Sequence, residues 1–223
     1  MSSEELKKFE KLAQDWWNVS GPMKMLHQLN TVRLEYITKN FSLENKKLLD
    51  FGCGGGILTE SIYKNNNNIV GMDNNKKLLE IANSHKGEKK INYLHASKIN
   101  SFKDEFDGIF CFEVLEHVSN FQMILEKLTS KLKSGGTIFL STINKSVISF
   151  IKSIVIAEYV LNIVPKGTHS YEKFIMPSDI NEILENNNCL IKDIKGIEYS
   201  LINKNLSITR NCDVNYILHG IKI

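Results

Sequence analysis

The feature that most constrains this chain is a glycine-rich turn that follows a short apolar segment. Lys47–Phe51 is predicted to be a buried β-strand, and a run of Gly-Cys-Gly-Gly-Gly begins directly after it at Gly52. Glycines at such a position allow a tight turn and let a ligand approach the backbone where any Cβ would collide. An acidic residue, Asp73, ends the next predicted strand. The spacing of about 20 residues places its carboxylate where it can bind a ribose diol.

Two ligand classes share this signature, and the glycine spacing separates them. The dinucleotide fingerprint needs a third glycine where Ile57 stands if it starts at Gly52, or where Thr59 stands if it starts at Gly54. A nicotinamide cofactor is therefore disfavoured in both registers. A compact DxGxG loop followed by a ribose-binding acid resembles the class I S-adenosylmethionine (SAM)-dependent methyltransferases. That resemblance implies SAM as the cofactor, with Gly52, Gly54 and Asp73 among its contacts.

Strands and helices alternate along the rest of the chain. The hydrophobic pattern predicts strands over Lys47–Phe51, Ile69–Asp73, Ile91–His95, Asp107–Phe112, Gly136–Thr142, Leu190–Tyr199 and Val214–Ile223. It predicts helices over residues 4–17 and over Leu26–Asn40, Ile57–Tyr63, Lys76–Ser84 and Phe121–Leu132. This order indicates an α/β, Rossmann-like fold with a largely parallel seven-stranded sheet and helices on both faces. We expect one domain over residues 1–223, with residues 1–40 as a helical N-terminal extension.

Charge and cysteine usage exclude several other classes. The net charge of +3 is mild, which disfavours an electrostatically driven nucleic-acid binder. The segment after the fourth predicted strand, Phe112–Leu115, also lacks the tetrapeptide of the (N/D)PP(Y/F) type that nucleic-acid methyltransferases carry. The four cysteines form no CxxC pair, which disfavours a zinc site or a disulfide framework. With no apolar signal segment at the start, the chain is expected to be cytoplasmic.

Segments spread over nearly the whole chain resemble the ubiquinone-biosynthesis O-methyltransferases. They are Trp16-Trp17, Gly21–Lys24, Leu26–Asn30, Arg33–Ile37, Glu113–Val118, Glu158-Tyr159, Val164–His169, Lys173–Ile175 and Asp213–Tyr216. The PKGTH segment at 165–169 followed by KFI is the most specific of them. The resemblance implies two methylations in quinone synthesis, each on a phenolic oxygen of a polyprenylated ring.

The same resemblance carries four SAM contacts onto this sequence, namely Arg33, Gly52, Asp73 and Phe112. Phe112 stands where the family often has methionine, and either side chain can pack on an adenine. Arg33 has support from the composition as well. Of 28 basic residues only Arg33 and Arg210 are arginines, so an arginine here indicates a need for the planar guanidinium fork. That fork suits a carboxylate such as the methionine end of SAM.

Catalysis is expected directly after the fourth predicted strand. Glu113, Glu116 and His117 are spaced i, i+3 and i+4, which would place them on one face of a helical turn. The family carries metal ligands at these positions, so we expect them to hold Mg²⁺ at a catechol, where a hard cation lowers the hydroxyl pKa. Similar segments also occur in methyltransferases that use no metal. Glu113, His117 and His169 are the candidate catalytic residues.

A largely apolar stretch precedes the PKGTH segment. We expect residues 144–177 to form a lid that guides the polyprenyl tail and contacts the inner face of a membrane peripherally, although a core helix would give the same pattern. A quinone-biosynthesis complex is a further expected partner. Two other functions stay open: methylation of another small acceptor, and SAM-binding regulation without turnover.

Overall fold

The structure, a computed structural model, describes residues 13–102, 106–146, 171–200, 202 and 205–223. These residues contain a single eight-stranded sheet. Its strands are β1 (Lys47–Phe51), β2 (Asn68–Asp73), β3 (Ile91–His95), β4 (Phe106–Phe112), β5 (Leu132–Ile143), β6 (Cys189–Ser200), β7 (Asn205–Thr209) and β8 (Asn215–Lys222). Their order across the sheet is β3-β2-β1-β4-β5-β8-β6-β7.

The sheet has a parallel half and an antiparallel half. Strands β1 to β5 pair in parallel. Strand β8 then inserts antiparallel between β5 and β6, and β7 pairs antiparallel with β6 at the edge. Because β1 and β4 are neighbours, their carboxyl ends meet in the middle of the parallel half, where the chain order across the sheet reverses. Open α/β sheets bind their ligands at such a reversal.

Five α-helices accompany the sheet within the described residues. They are α1 (Lys24–Asn40), α2 (Ile57–Ser61), α3 (Lys76–His85), α4 (Phe121–Ser130) and α5 (Pro177–Asn186). Short 3-10 helices cover Ala13–Asp15, Ala96–Ser101, Leu115–His117 and Tyr171–Lys173. Asn75 and Asn120 cap α3 and α4 by accepting a backbone N–H, which explains where those two helices begin.

Alternating side chains of the central strands build a separate core on each face of the sheet. Leu49 of β1 packs with α4 and α5, whereas its neighbour Leu48 packs with α1, α2 and α3. The same alternation separates Ile109 from Phe110 in β4. Because successive strand side chains point to opposite faces, apolar runs of this kind need helices on both sides. The predicted α/β class, with helices on both faces, is confirmed.

Three features differ from the sequence-based prediction. The sheet has eight strands rather than seven, because Asn205–Thr209 forms an edge strand that was not predicted. Helix α5 was not predicted either. Of the helix predicted over residues 4–17, the part before residue 13 lies outside the described residues, and Ala13–Asp15 is a 3-10 helix rather than an α-helix.

Part of the predicted lid cannot be compared with the structure. Residues 147–170, which include the apolar stretch, the PKGTH segment and His169, lie outside the described residues. Within the part of the chain that is described, no helix combines the length and the apolar character needed to cross a bilayer.

Candidate active site

The glycine-rich loop sits at the carboxyl end of β1 and is fixed to the neighbouring strand. The backbone N–H groups of Gly52 and Cys53 both donate to the carbonyl of Met72, at 2.7 and 3.0 Å. Gly52 and Gly54 have φ values of +84° and +52°, in the left-handed region that favours glycine. A Cβ on Gly52 would also lie 2.1 Å from Cγ2 of Val114. Both conformation and space therefore require glycine at the first position.

Two tryptophans of the N-terminal segment cover the outer side of this loop. A Cβ on Gly54 or Gly55 would lie 2.6 or 2.4 Å from the nearest atom of the Trp16 indole. Trp17 donates its ring N–H to the carbonyl of Gly55 at 3.0 Å. We call Trp16 and Trp17 the indole strap. The space beside these two glycines is thus filled by the Trp16 indole. The sequence had suggested that a ligand needs this space.

Asp73 ends β2 beside the loop, as its spacing predicted. Its carboxylate accepts the backbone N–H of Gly54 at 2.9 Å and that of Asn75 at 2.7 Å. Burial raises the pKa of Asp73, and the hydrogen bonds from the backbone oppose that shift. The carboxylate lines a cavity of about 230 Å³, together with Gly52 and Gly54. Two backbone hydrogen bonds thus fix a carboxylate at the end of β2, the position from which such folds accept a ribose diol.

Arg33 enters the same cavity from α1 and is almost fully buried. Its Nη2 lies 3.4 Å from Oε1 of Glu113, and its guanidinium lies 5.1 Å from the ring centroid of Phe112. Nε and Nη2 nevertheless have no hydrogen-bond partner among the described residues. Burial lowers the pKa of Arg33, and the carboxyl groups of Glu113 and Asp50 oppose that shift. Buried donors without acceptors are costly, so this guanidinium is arranged for an anionic ligand.

The segment after β4 differs from the predicted helical turn. Glu113 precedes the 3-10 helix Leu115–His117 and has a φ of +53°, which is rare for a residue with a side chain. Its Oε1 accepts the hydroxyl of Ser141 at 2.7 Å. Glu113 and His117 line the cavity, whereas Glu116 is buried behind it. The expectation that all three side chains share one helical face is wrong.

Glu116 is therefore not placed as a metal ligand. Its Oε2 accepts the hydroxyl of Thr142 at 2.9 Å, and burial together with the nearby charge of Glu113 raises its pKa well above the ordinary value. Glu116 does not line the cavity, so its carboxyl group is not directed to the space that Glu113 and His117 line. Within the described ranges, no three His, Cys, Asp or Glu side chains are grouped so that they could hold a metal ion. The predicted three-ligand magnesium site does not fit this arrangement.

Three further residues belong to the site but were not predicted as its members. Asp50 lines the cavity, accepts the hydroxyl of Thr59 at 2.5 Å, and has its pKa raised to about 6 by burial. Asn30 and Trp16 also line the cavity. Asp50 is the acid of the DxGxG loop and Asn30 stands one helical turn before Arg33, so a signal existed for both. A glycine cradle, an acceptor at the β2 end and an unsatisfied guanidinium together fit SAM.

Comparison with known proteins agrees with this geometry. A family model described as a methyltransferase domain matches residues 25–192. A ubiquinone biosynthesis O-methyltransferase of Coxiella burnetii is 39% identical, with 97% of this chain and 94% of the relative covered. The namesake of Pelagibacter ubique is 36% identical, with 100% and 98% covered.

The chain belongs to the ubiquinone biosynthesis O-methyltransferase family. It is a SAM-dependent methyltransferase. Among solved structures, the magnesium protoporphyrin IX methyltransferase of Synechocystis PCC 6803 with bound SAH superposes with a TM-score of 0.68 at 17% identity, over 94% of both chains. This likeness shows the shared class I fold.

Proposed function

We propose that this methyltransferase transfers the methyl group of SAM to phenolic hydroxyls of polyprenylated catechol-type intermediates of ubiquinone. The observation that carries the SAM half is the buried, unsatisfied guanidinium of Arg33 in the cavity that Gly52, Gly54 and Asp73 also line. The acceptor half is supported by relatives at 36 and 39% identity over nearly the full chain that are named for this pathway.

Bound SAM supplies a methyl group on a sulfonium, which the phenolate oxygen takes in line while the C–S electron pair remains on sulfur. The chain has to hold the donor and accept the phenol proton. We assign Arg33 to the methionine end of the donor and Asp73 to its ribose. Glu113 and His117 are the described candidates that face the cavity. Oε1 of Glu113 already accepts the hydroxyl of Ser141 and lies 3.4 Å from Arg33 Nη2, so this oxygen is engaged within the chain.

His117 is therefore the proposed proton acceptor among the described residues, and His169 remains a prediction outside them. Methyl transfer from labelled SAM to a short-tailed prenyl catechol tests the function. We expect the parent to turn over this substrate. We expect His117→Ala to have a clearly lower kcat and an unchanged affinity for SAM. Turnover only on other small acceptors, or SAM binding without any turnover, would contradict the proposal in favour of another methyltransferase or a regulatory protein.

Magnesium is a separate part of the proposal, and it rests on the family resemblance alone. Exhaustive chelation followed by re-addition of Mg²⁺ tests it directly. Loss and recovery of activity would support a catalytic cation. Full activity in chelator, with Glu113→Ala and Glu116→Ala still active, would contradict it.

Residues 144–177 are proposed to act as a lid for the polyprenyl tail that contacts a membrane surface. Support comes from the apolar composition of 147–164 and from the lipid nature of the proposed substrate. Charged substitutions at Ile154 and Ile156 should reduce liposome binding and activity on a long-tailed substrate. Activity on a short-tailed analogue should fall less. Equal losses on both substrates would favour the core-helix interpretation instead.

A further inference from the structure

Besides Arg33, α1 carries a second buried polar residue, Asn30. The proposed mechanism does not use it. It is 8% exposed and lines the same cavity as Arg33. Its side-chain oxygen, Oδ1, is buried and has no hydrogen-bond partner among the described residues. Buried carbonyl oxygens are normally paired, so an orphaned one in a residue that lines a ligand cavity points to a donor on the ligand.

The orientation of the Asn30 amide is fixed by its neighbours. Its Nδ2 donates to the hydroxyl of Ser61 at 2.8 Å, and that hydroxyl in turn donates to the carbonyl of Ile57 at 2.7 Å. A serine hydroxyl has a single proton, so at Ser61 it can only accept from Asn30. Reversing the amide would place two acceptors against each other. Oδ1 is therefore the polar atom that remains for the cavity.

Asn30 and Arg33 lie three residues apart on α1 and offer polar groups complementary to the two charged groups of an amino acid. Residues three apart on a helix lie on the same side, with Cβ atoms about 5–6 Å apart. Arg33 offers unsatisfied cationic donors, and Asn30 offers an unsatisfied acceptor. The carboxyl group of Asp50 opposes the lowering of the Arg33 pKa and adds negative potential to this end of the cavity. A zwitterion has the complementary arrangement, with a carboxylate and an ammonium group on one carbon.

We propose that Asn30 is a specificity-determining residue of the SAM site, whose side-chain oxygen accepts a hydrogen bond from the α-ammonium group while Arg33 binds the α-carboxylate. This assignment rests on the SAM-binding half of the proposed function and is independent of the acceptor substrate. It explains how the site distinguishes the complete amino-acid end of the donor from adenosine thioethers that lack the amino group.

The test compares S-adenosylhomocysteine with its des-amino analogue by calorimetry on the full chain. The parent should bind the complete ligand about tenfold or more tightly than the analogue. Asn30→Leu should lose most of this preference, because it weakens binding of the complete ligand and leaves binding of the analogue within about threefold. Asn30→Asp keeps an acceptor and should retain or increase the preference. Ser61→Ala is the control that frees the amide without removing its oxygen, and it should retain part of the preference.

Four results would overturn the proposal, and they differ from one another. A parent that binds both ligands equally shows that no side chain reads the ammonium group. Equal losses on both ligands in Asn30→Leu assign a packing role to Asn30. If that variant does not fold, loss of the preference in Asn30→Asp equally rejects the acceptor role. A parent that does not bind S-adenosylhomocysteine at all refutes the SAM site itself, and with it the proposed function.

Discussion

Arg33 is a buried cation with an incomplete set of acceptors, and that makes its geometry testable. Replacing Arg33 with lysine keeps the positive charge but removes the planar fork that binds a carboxylate through two hydrogen bonds. We expect Arg33→Lys to bind SAM about 10- to 100-fold more weakly, measured by calorimetry, with an unchanged melting temperature. The matched control is Arg210→Lys, at the other arginine of the chain, which is exposed. Equal affinity of Arg33→Lys and the parent would disprove the carboxylate role.

Asp73 holds the loop and is the proposed acceptor for the ribose of SAM. Asp73→Ala removes the acceptor for the Gly54 and Asn75 N–H groups as well as for a ligand diol. We expect SAM binding about 100-fold weaker, because buried donors lose their partner in the protein and in the ligand. Asp73→Asn keeps one carbonyl oxygen and should lose less. The idea fails if both variants bind SAM like the parent.

Sequence reasoning works well for some of these residues and poorly for others, and the reason is physical. Arg33 can be predicted because it is one of only two arginines in the chain. Asp73 can be predicted because it is the acid that ends the strand after the glycine-rich loop. The position of the Glu116 side chain cannot be predicted in this way. It depends on a positive φ at Glu113 and on a hydrogen bond from Thr142, which is 26 residues away along the chain. Spacing rules for helical faces assume a regular helix, and the chain after β4 is not one.

The indole strap packs so closely on the glycine-rich loop that a single added carbon atom at Gly55 would collide with it. Gly55 has no left-handed φ, so an alanine there would strain the chain only through its Cβ, which would lie 2.4 Å from the Trp16 ring. We expect Gly55→Ala to lower the free energy of unfolding by about 1–3 kcal/mol and to weaken SAM binding. Urea unfolding of Gly55→Ala, Trp16→Leu and the double variant measures the coupling. The same cost of Gly55→Ala in both backgrounds would show that the strap does not occupy this space.

Elements of the parallel half are predictable because buried strands are short apolar runs bounded by turns. β3 is observed with the predicted bounds, and β1 likewise. β7 was missed although Leu206 and Ile208 alternate with polar residues, because five residues at a sheet edge carry a weak signal. The strap was predicted as the end of an α-helix. Its indoles contact a loop almost 40 residues later, and no local pattern encodes that contact.

At the scale of the whole molecule, two buried titratable groups give stability opposite dependences on pH. His219 lies 3.0 Å from the Tyr36 hydroxyl and stacks on Phe139, and burial lowers its pKa below the ordinary 6.5. The unfolded state therefore binds its proton more readily, so stability is lost as pH falls below about 6.5. Burial raises the pKa of Asp50 from 3.8 to about 6. The folded state binds that proton more readily, so stability is lost as pH rises through this interval.

Because the contributions of His219 and Asp50 have opposite signs, they partly cancel in the parent, and single variants separate them. Asp50→Asn removes the cost of ionising a buried carboxyl, so it should raise the free energy of unfolding at pH 7 by up to roughly 3 kcal/mol. It should also make stability rise more steeply with pH below about 6.5, because the opposing contribution of Asp50 is removed. His219→Gln keeps an acceptor for Tyr36 and should shift the slope in the opposite direction, since Asp50, Asp73 and Glu116, whose pKa values burial raises, remain. Urea denaturation of the three proteins across this range measures both slopes. Parallel curves for the parent and Asp50→Asn would show that Asp50 is already ionised when the protein folds, with Arg33 compensating its charge.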